Sequence, residues 1–181
     1  SSRRQHLFDP ADASWTELQE CPSKISHVDL VEGDTGFWFA GGMKDKPSRK
    51  PKDHIIAEVW HFDPELDRFS AAPLLPGPRG GGALARVGNH LHYISGLMAD
   101  RDTDSPDHFV FDLAAWSATG TAQWTHAAPL PVPRNQHSVA VINERIYIIG
   151  GQFNHDSQQL DQARVDIYDP VSDTWSEGPS L

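Results

Sequence analysis

The stretch Pro129–Gly151 reads PLPVPRNQHSVAVINERIYIIGG. It opens on a stiff proline run, crosses Arg134-Asn135-Gln136-His137, and continues as two apolar arms around Asn143-Glu144-Arg145. The arms, HSVAVIN and RIYIIGG, are short and rich in β-branched residues, which predicts a β-hairpin. The second arm is apolar at consecutive positions, so both of its faces are expected to be buried. Gly150 and Gly151 let the backbone bend or approach a neighbour closely at the strand end.

Working outward, the same order recurs. Aromatic-Asp marks fall at Phe8, Phe62, Phe111 and Tyr168, at intervals of 54, 49 and 57. Later aromatic marks fall at Trp15, Phe69, Trp124 and Trp175, at intervals of 54, 55 and 51. A period of about 50 residues is that of kelch units. On Gly41-Gly42, Gly150-Gly151, the FDP and YDP marks, and Trp15, Trp124 and Trp175, the chain resembles the kelch-repeat family over nearly its whole length. The middle copy departs from the pattern. It has Gly96-Leu97 for the double glycine, Asp112 is not followed by Pro, and FDLAAWSATGTAQW carries an insertion; Phe69 stands where another copy has Trp.

The resemblance implies an all-β fold of kelch-type β-propeller blades, each a four-stranded antiparallel sheet. The expected organisation is a single partial propeller over residues 1–181. Residues 7–18 form the outer strands of a preceding blade, and 26–70, 80–126 and 137–178 form three full blades. No helix of consequence is expected. A propeller usually has about 4 to 8 blades. The ring is therefore incomplete here, and its closure is expected from missing blades of a longer chain or from a second chain.

Composition narrows function. The net charge of -10 argues against a general nucleic-acid binder, which needs a basic surface. No apolar run approaches the roughly 20 residues of a membrane span. Cys21 is the only cysteine, so no intrachain disulfide forms and the compartment is unmarked. The patterns H-E-x-x-H, G-x-S-x-G and the phosphate loop are missing. DRDTD fails the EF-hand pattern, because Ser105 and Phe111 stand where Gly and Glu are needed. No metal site and no cofactor is expected.

Alternating strand direction puts the connection entering each innermost strand and the one leaving each second strand on one propeller face. There PVPRNQHS meets QFNHDSQQLD, PGPRGGG meets LMADRDTDSPDH, and CPSKISH meets MKDKPSRKPKDH. Functional residues favour such loops on a rigid scaffold. Lys24, Arg79 and Arg134 are candidate cations at the channel mouth, suited to an acidic group. Asn135, Gln136 and His137, with Gln152, Asn154, His155 and Asp156, offer donors and acceptors for a peptide backbone or sugar hydroxyls. The reading is a non-catalytic recognition module for a protein or glycan. The alternative is a carbohydrate-active enzyme on the same scaffold, a sugar mutarotase or isomerase or else a copper radical oxidase.

Overall fold

The computed structural model describes residues 3–44, 54–154 and 160–181. The hairpin β1 (His6–Asp9) and β2 (Ser14–Glu17) comes first. A short β3 (Ile25–Ser26) leads into blade I, which contains β4 (Asp29–Glu32) and β5 (Phe37–Ala40). After β5, β6 (Met43–Lys44) pairs back onto β3, and β7 (Val59–Asp63) and β8 (Arg68–Ala72) complete the blade. Blade II contains β9 (Ala83–Val87), β10 (His90–Ile94), β11 (His108–Asp112) and β12 (Thr125–His126). Blade III contains β13 (Ser138–Ile142) and β14 (Arg145–Ile149), then the pair β15 (Gln152–Phe153) and β16 (Leu160–Asp161), then β17 (Val165–Asp169) and β18 (Thr174–Glu177). Within each blade the four strands hydrogen-bond in sequence order, all antiparallel.

Strand alternation sends successive side chains to opposite faces of a blade. Leu84, Leu91, Tyr93, Phe109 and Phe111 of blade II pack toward Trp38, Ala40 and Val59 of blade I. Ala83, Ala85 and Ile94, from the other face, pack on Ile146, Ile148 and Tyr168 of blade III. Blade II is thus buried on both faces.

The repeat is held in a fixed register. Gly41-Gly42 and Gly150-Gly151 have φ of 66° and 101°, and of 64° and 99°. In blade II that slot holds Ser95-Gly96, with φ of 61° and 100°, and not the Gly96-Leu97 expected from sequence. The requirement is a left-handed backbone at both positions. Ser95 meets it with its hydroxyl engaged: Oγ accepts from Arg134 N (3.0 Å) and has two carbonyls within reach of its one proton, Ser105 O (2.8 Å) and Arg134 O (2.7 Å). The second position touches the next blade: Gly42 N donates to Arg79 O (2.8 Å) and Gly96 N to Arg134 O (3.1 Å).

The aromatic marks face one another across neighbouring outer strands. Ring centroids stand 4.9 Å apart for Phe8–Trp15, 4.6 Å for Phe62–Phe69, 5.1 Å for Phe111–Trp124 and 5.1 Å for Tyr168–Trp175. Two indoles reach back to the preceding blade: Trp124 Nε1 donates to Pro73 O (2.9 Å) and Trp175 Nε1 to Ala128 O (2.8 Å). At Ala128 the backbone N also donates to Asp173 (2.8 Å), and at the corresponding Gln19 it donates to Asp67 (2.7 Å). Pro73 has no N–H to place, and blade II carries no aspartate turn there. In its place stands α1 (Leu113–Thr119), a helix the sequence reading did not expect. Asp112 caps its start by accepting from Ala115 N, and Gly120 ends it in the left-handed conformation. Among the described residues, no helix is long and apolar enough to cross a membrane.

Candidate functional site

The short bridges between β3 and β6, Gly80 and Leu97, and Asn135 and Gln152 are the same contact in three blades. They bring the predicted loop pairs together on one face. One residue further on, His27, Gly81 and Gln136 all have positive φ, at 53°, 64° and 51°. Gly81 N donates to His27 O (2.8 Å), and Gln136 N donates to Gly81 O (2.7 Å). This backbone relay runs from blade to blade around the channel mouth. It borders a cleft of about 290 Å³ lined by His27, Val28, Asp29, Gly82, Gln136 and His137, with Gly81.

Arg134 is fully buried, and its guanidinium points into its own blade. Nε donates to Gly150 O (2.8 Å), Nη2 to Ile148 O (3.1 Å), and Nη1 to Val132 O (2.9 Å) and Asp166 Oδ2 (2.8 Å). Asp166 is itself fully buried and also takes Arg164 (2.8 Å). Burial pulls Arg134 below the usual guanidinium range, and Asp166 opposes that. Arg79 occupies the same slot in blade II. There Phe109 replaces Asp166, and Arg79 lies over its ring (5.7 Å) while pairing with Asp107. In blade I the register gives this slot to Ile25. Lys24 is one residue earlier and exposed, so the three cations do not converge.

Asn135 and Gln152 are buried and bonded to each other, Gln152 Nε2 donating to Asn135 Oδ1 (3.2 Å). Asn135 Nδ2 donates to Asp104 Oδ1 (2.7 Å), and Asn154 N donates to Asp104 Oδ2 (3.0 Å). Asp104, from the acidic loop of blade II, thereby fixes the loop bases of blade III; burial raises its pKa. Gln136 is exposed and Asn154 half-buried. His137 is buried, and that burial, reinforced by Arg134, drops its pKa to about 3. His155 and Asp156 lie outside the described residues, as do Lys46, Arg49, Lys50 and Lys52 of the basic loop. Sequence reasoning missed His27, although its spacing of 54 from Gly81 was a usable signal. It also missed the bridging role of Asp104, which depends on contacts 31 and 50 residues away. Among the described residues, no three His, Cys, Asp or Glu side chains gather to hold a metal ion.

Propeller blades in a common register, joined at the mouth of a channel, define the class of protein. The Kelch motif family matches residues 133–181. The chain is 32% identical over 178 residues to zebrafish (Danio rerio) Kelch repeat and BTB domain-containing protein 12, covering 94% of this chain and 28% of that protein. It is 27% identical over 176 residues to mouse (Mus musculus) Kelch-like protein 36, covering 96% of this chain and 27% of that protein. The solved structure of YjhT superposes with a TM-score of 0.81 at 16% identity, covering 98% of this chain and 62% of that one. These matches support the kelch-repeat family for the chain. The chain spans about a quarter of the length of these curated relatives.

Proposed function

We propose that the chain binds a protein partner on its channel-mouth face. The observation that carries this is the relay through His27, Gly81 and Gln136, which makes a stiff platform of one face of three blades. Rigid platforms bearing variable loops suit selective recognition. His27, Gln136, Lys24 and Asn154 would meet the partner, together with His155 and Asp156, which follow Asn154 in the chain. Arg79, Arg134, Asn135, His137 and Gln152 would hold the platform, since their side chains are buried. Closure of the ring by further blades of a longer chain belongs to the same proposal. In its support, Trp15 of the unaccompanied outer pair is 65% exposed, whereas Trp124 is buried.

The test places a photo-crosslinking side chain at Gln136 and, separately, at Val171. Val171 lies in the β17–β18 turn, at the opposite end of the blade, and is 94% exposed. Adducts to one protein from position 136 and none from 171 are expected. Adducts from 171 alone would overturn the assignment. Glycan binding lost in Gln136→Ala, with no protein adduct, would replace the protein by a glycan.

A further inference from the structure

Three buried histidines converge on the joint between blades II and III. His92 on β10 and His108 on β11 face blade III, and His92 Nδ1 stands 2.9 Å from His108 Nε2. His108 Nδ1 lies 3.2 Å from Ala128 O, so it carries a proton and donates it there. Its Nε2 is then an acceptor, and His92 Nδ1–H donates to it. The hydrogen bond lasts only while His108 is neutral, because a second proton on its Nε2 would set two donors against each other; a second proton on His92 would keep the bond and place a charge in the buried joint. The His108 ring packs edge-on against Tyr168 (4.5 Å) and near Trp175 (5.8 Å), both of blade III. His137, the third, begins the blade III side of the same joint.

The joint between blades I and II has no counterpart. In the common register, His92, His108 and His137 correspond to Trp38, Val59 and Gly82. We propose that blade III swings away from blade II on mild acidification, because the His92–His108 pair of blade II stays sealed against Tyr168 and Trp175 of blade III only in its neutral form.

The surrounding groups agree with this in sign, with two exceptions, Asp173 and Asp104. Burial lowers His92 to about 3 and His108 to about 4, against an ordinary value near 6.5. His90, exposed on the same strand, adds to the effect at His92. From blade III, Asp173 accepts from Tyr168 and Ala128 and is the one carboxylate that favours a charged His108. Asp169, further along, is engaged by Arg145 (3.1 Å). On the loop face, Asp104 has a raised pKa and opposes opening as pH falls.

Opening that frees both rings takes up two protons between pH 6.5 and about 4. Each proton is worth tenfold per pH unit, so the opening constant steepens toward about 100-fold per unit. The test is hydrogen exchange on the whole protein at pH 7.0, 5.5 and 4.5, corrected for intrinsic rates. Amides of β13, β14 and β17 should lose protection with that slope while those of β4 and β5 hold theirs. His92→Gln keeps a donor to His108 without a titrating ring, and should cut the slope to about tenfold per unit. Equal loss in all blades, no loss at all, or an unchanged slope in His92→Gln would overturn the proposal. Should that variant fail to fold, the wild-type contrast between the two joints decides.

Discussion

The two joints flanking blade II share one register and differ in chemistry. Between blades I and II, Trp38, Ala40 and Val59 meet Leu84, Tyr93 and Phe109 in a largely apolar contact. At its channel end Asp29 accepts from Leu84 N (2.9 Å), and burial raises its pKa. Between blades II and III the apolar residues are smaller, with Ala83 and Ala85 on one side. The space is filled by three imidazoles and by the start of blade III with its buried Arg134–Asp166 pair. The body of the first joint is held by apolar area, a non-directional force, with directional bonds such as Asp29 to Leu84 N at its channel end. The second depends on polar groups that must stay satisfied and in one protonation state. A repeat thus conserves its geometry while each interface is free to choose what sustains it.

This difference sets the order of expected effects. The largest is pH. The three histidines have folded pKa values of about 3, 4 and 3, all below the usual value. Their contribution is fully present above pH 6.5 and fades as pH falls toward 4, by about 1.4 kcal/mol per unit for each ring. Asp29 has the opposite sign, because a raised carboxyl binds protons more readily when folded. Denaturant melts at pH 7 and pH 4.5 should therefore differ by several kcal/mol, and equal midpoints would contradict this. Next comes Arg134→Ala, which strips Asp166 of one cation and leaves three carbonyls without their donor. A loss of about 3–5 kcal/mol is expected from such a buried pair. An unchanged melt would mean that Arg164 alone suffices.

Smaller effects separate the joints further. A Cβ at Gly41 would stand 2.5 Å from Arg79 O and adopt φ of 66°, so Gly41→Ser should cost upward of about 2 kcal/mol. The reverse change at its counterpart, Ser95→Gly, keeps the backbone and gives up the two hydrogen bonds of its hydroxyl, for about 1–2 kcal/mol. Comparable losses in chemical denaturation would show that the two slots are less distinct than their geometry. Smallest is the Arg86–Asp34 pair at the far end of the first joint, where Asp34 is 81% exposed. Asp34→Ala should move stability by less than about 0.5 kcal/mol.

Much of the fold was legible because the repeat writes itself into residues with strict backbone needs. The glycines at 41, 42, 150 and 151, and aromatics paired across outer strands, locate the blades without any contact map. Where the constraint could be met another way, the pattern misled. Ser95 holds a left-handed conformation through its hydroxyl, so the double glycine of blade II was displaced by one residue. Helix α1 has too few residues for an apolar period, though Asp112 and Gly120 were present as its caps. The candidate cations were read as reaching outward because their partners come from another strand: Asp166 is 32 residues from Arg134, and Asp107 is 28 from Arg79. The His92–His108 contact was equally hidden, since only pairing of β10 with β11 makes neighbours of residues 16 apart. The relay at the channel mouth was within reach, had His27 been aligned with Gly81 by the period of the repeat.

The most direct measurement is the imidazole nitrogen NMR spectrum of the folded protein as pH is lowered from 7. For His92 and His108 it should show a single ring proton each, on Nδ1, persisting below pH 5. A ring of either residue that gains its second proton near pH 6.5, with the blades still joined, would contradict the view that this joint is held by a neutral pair.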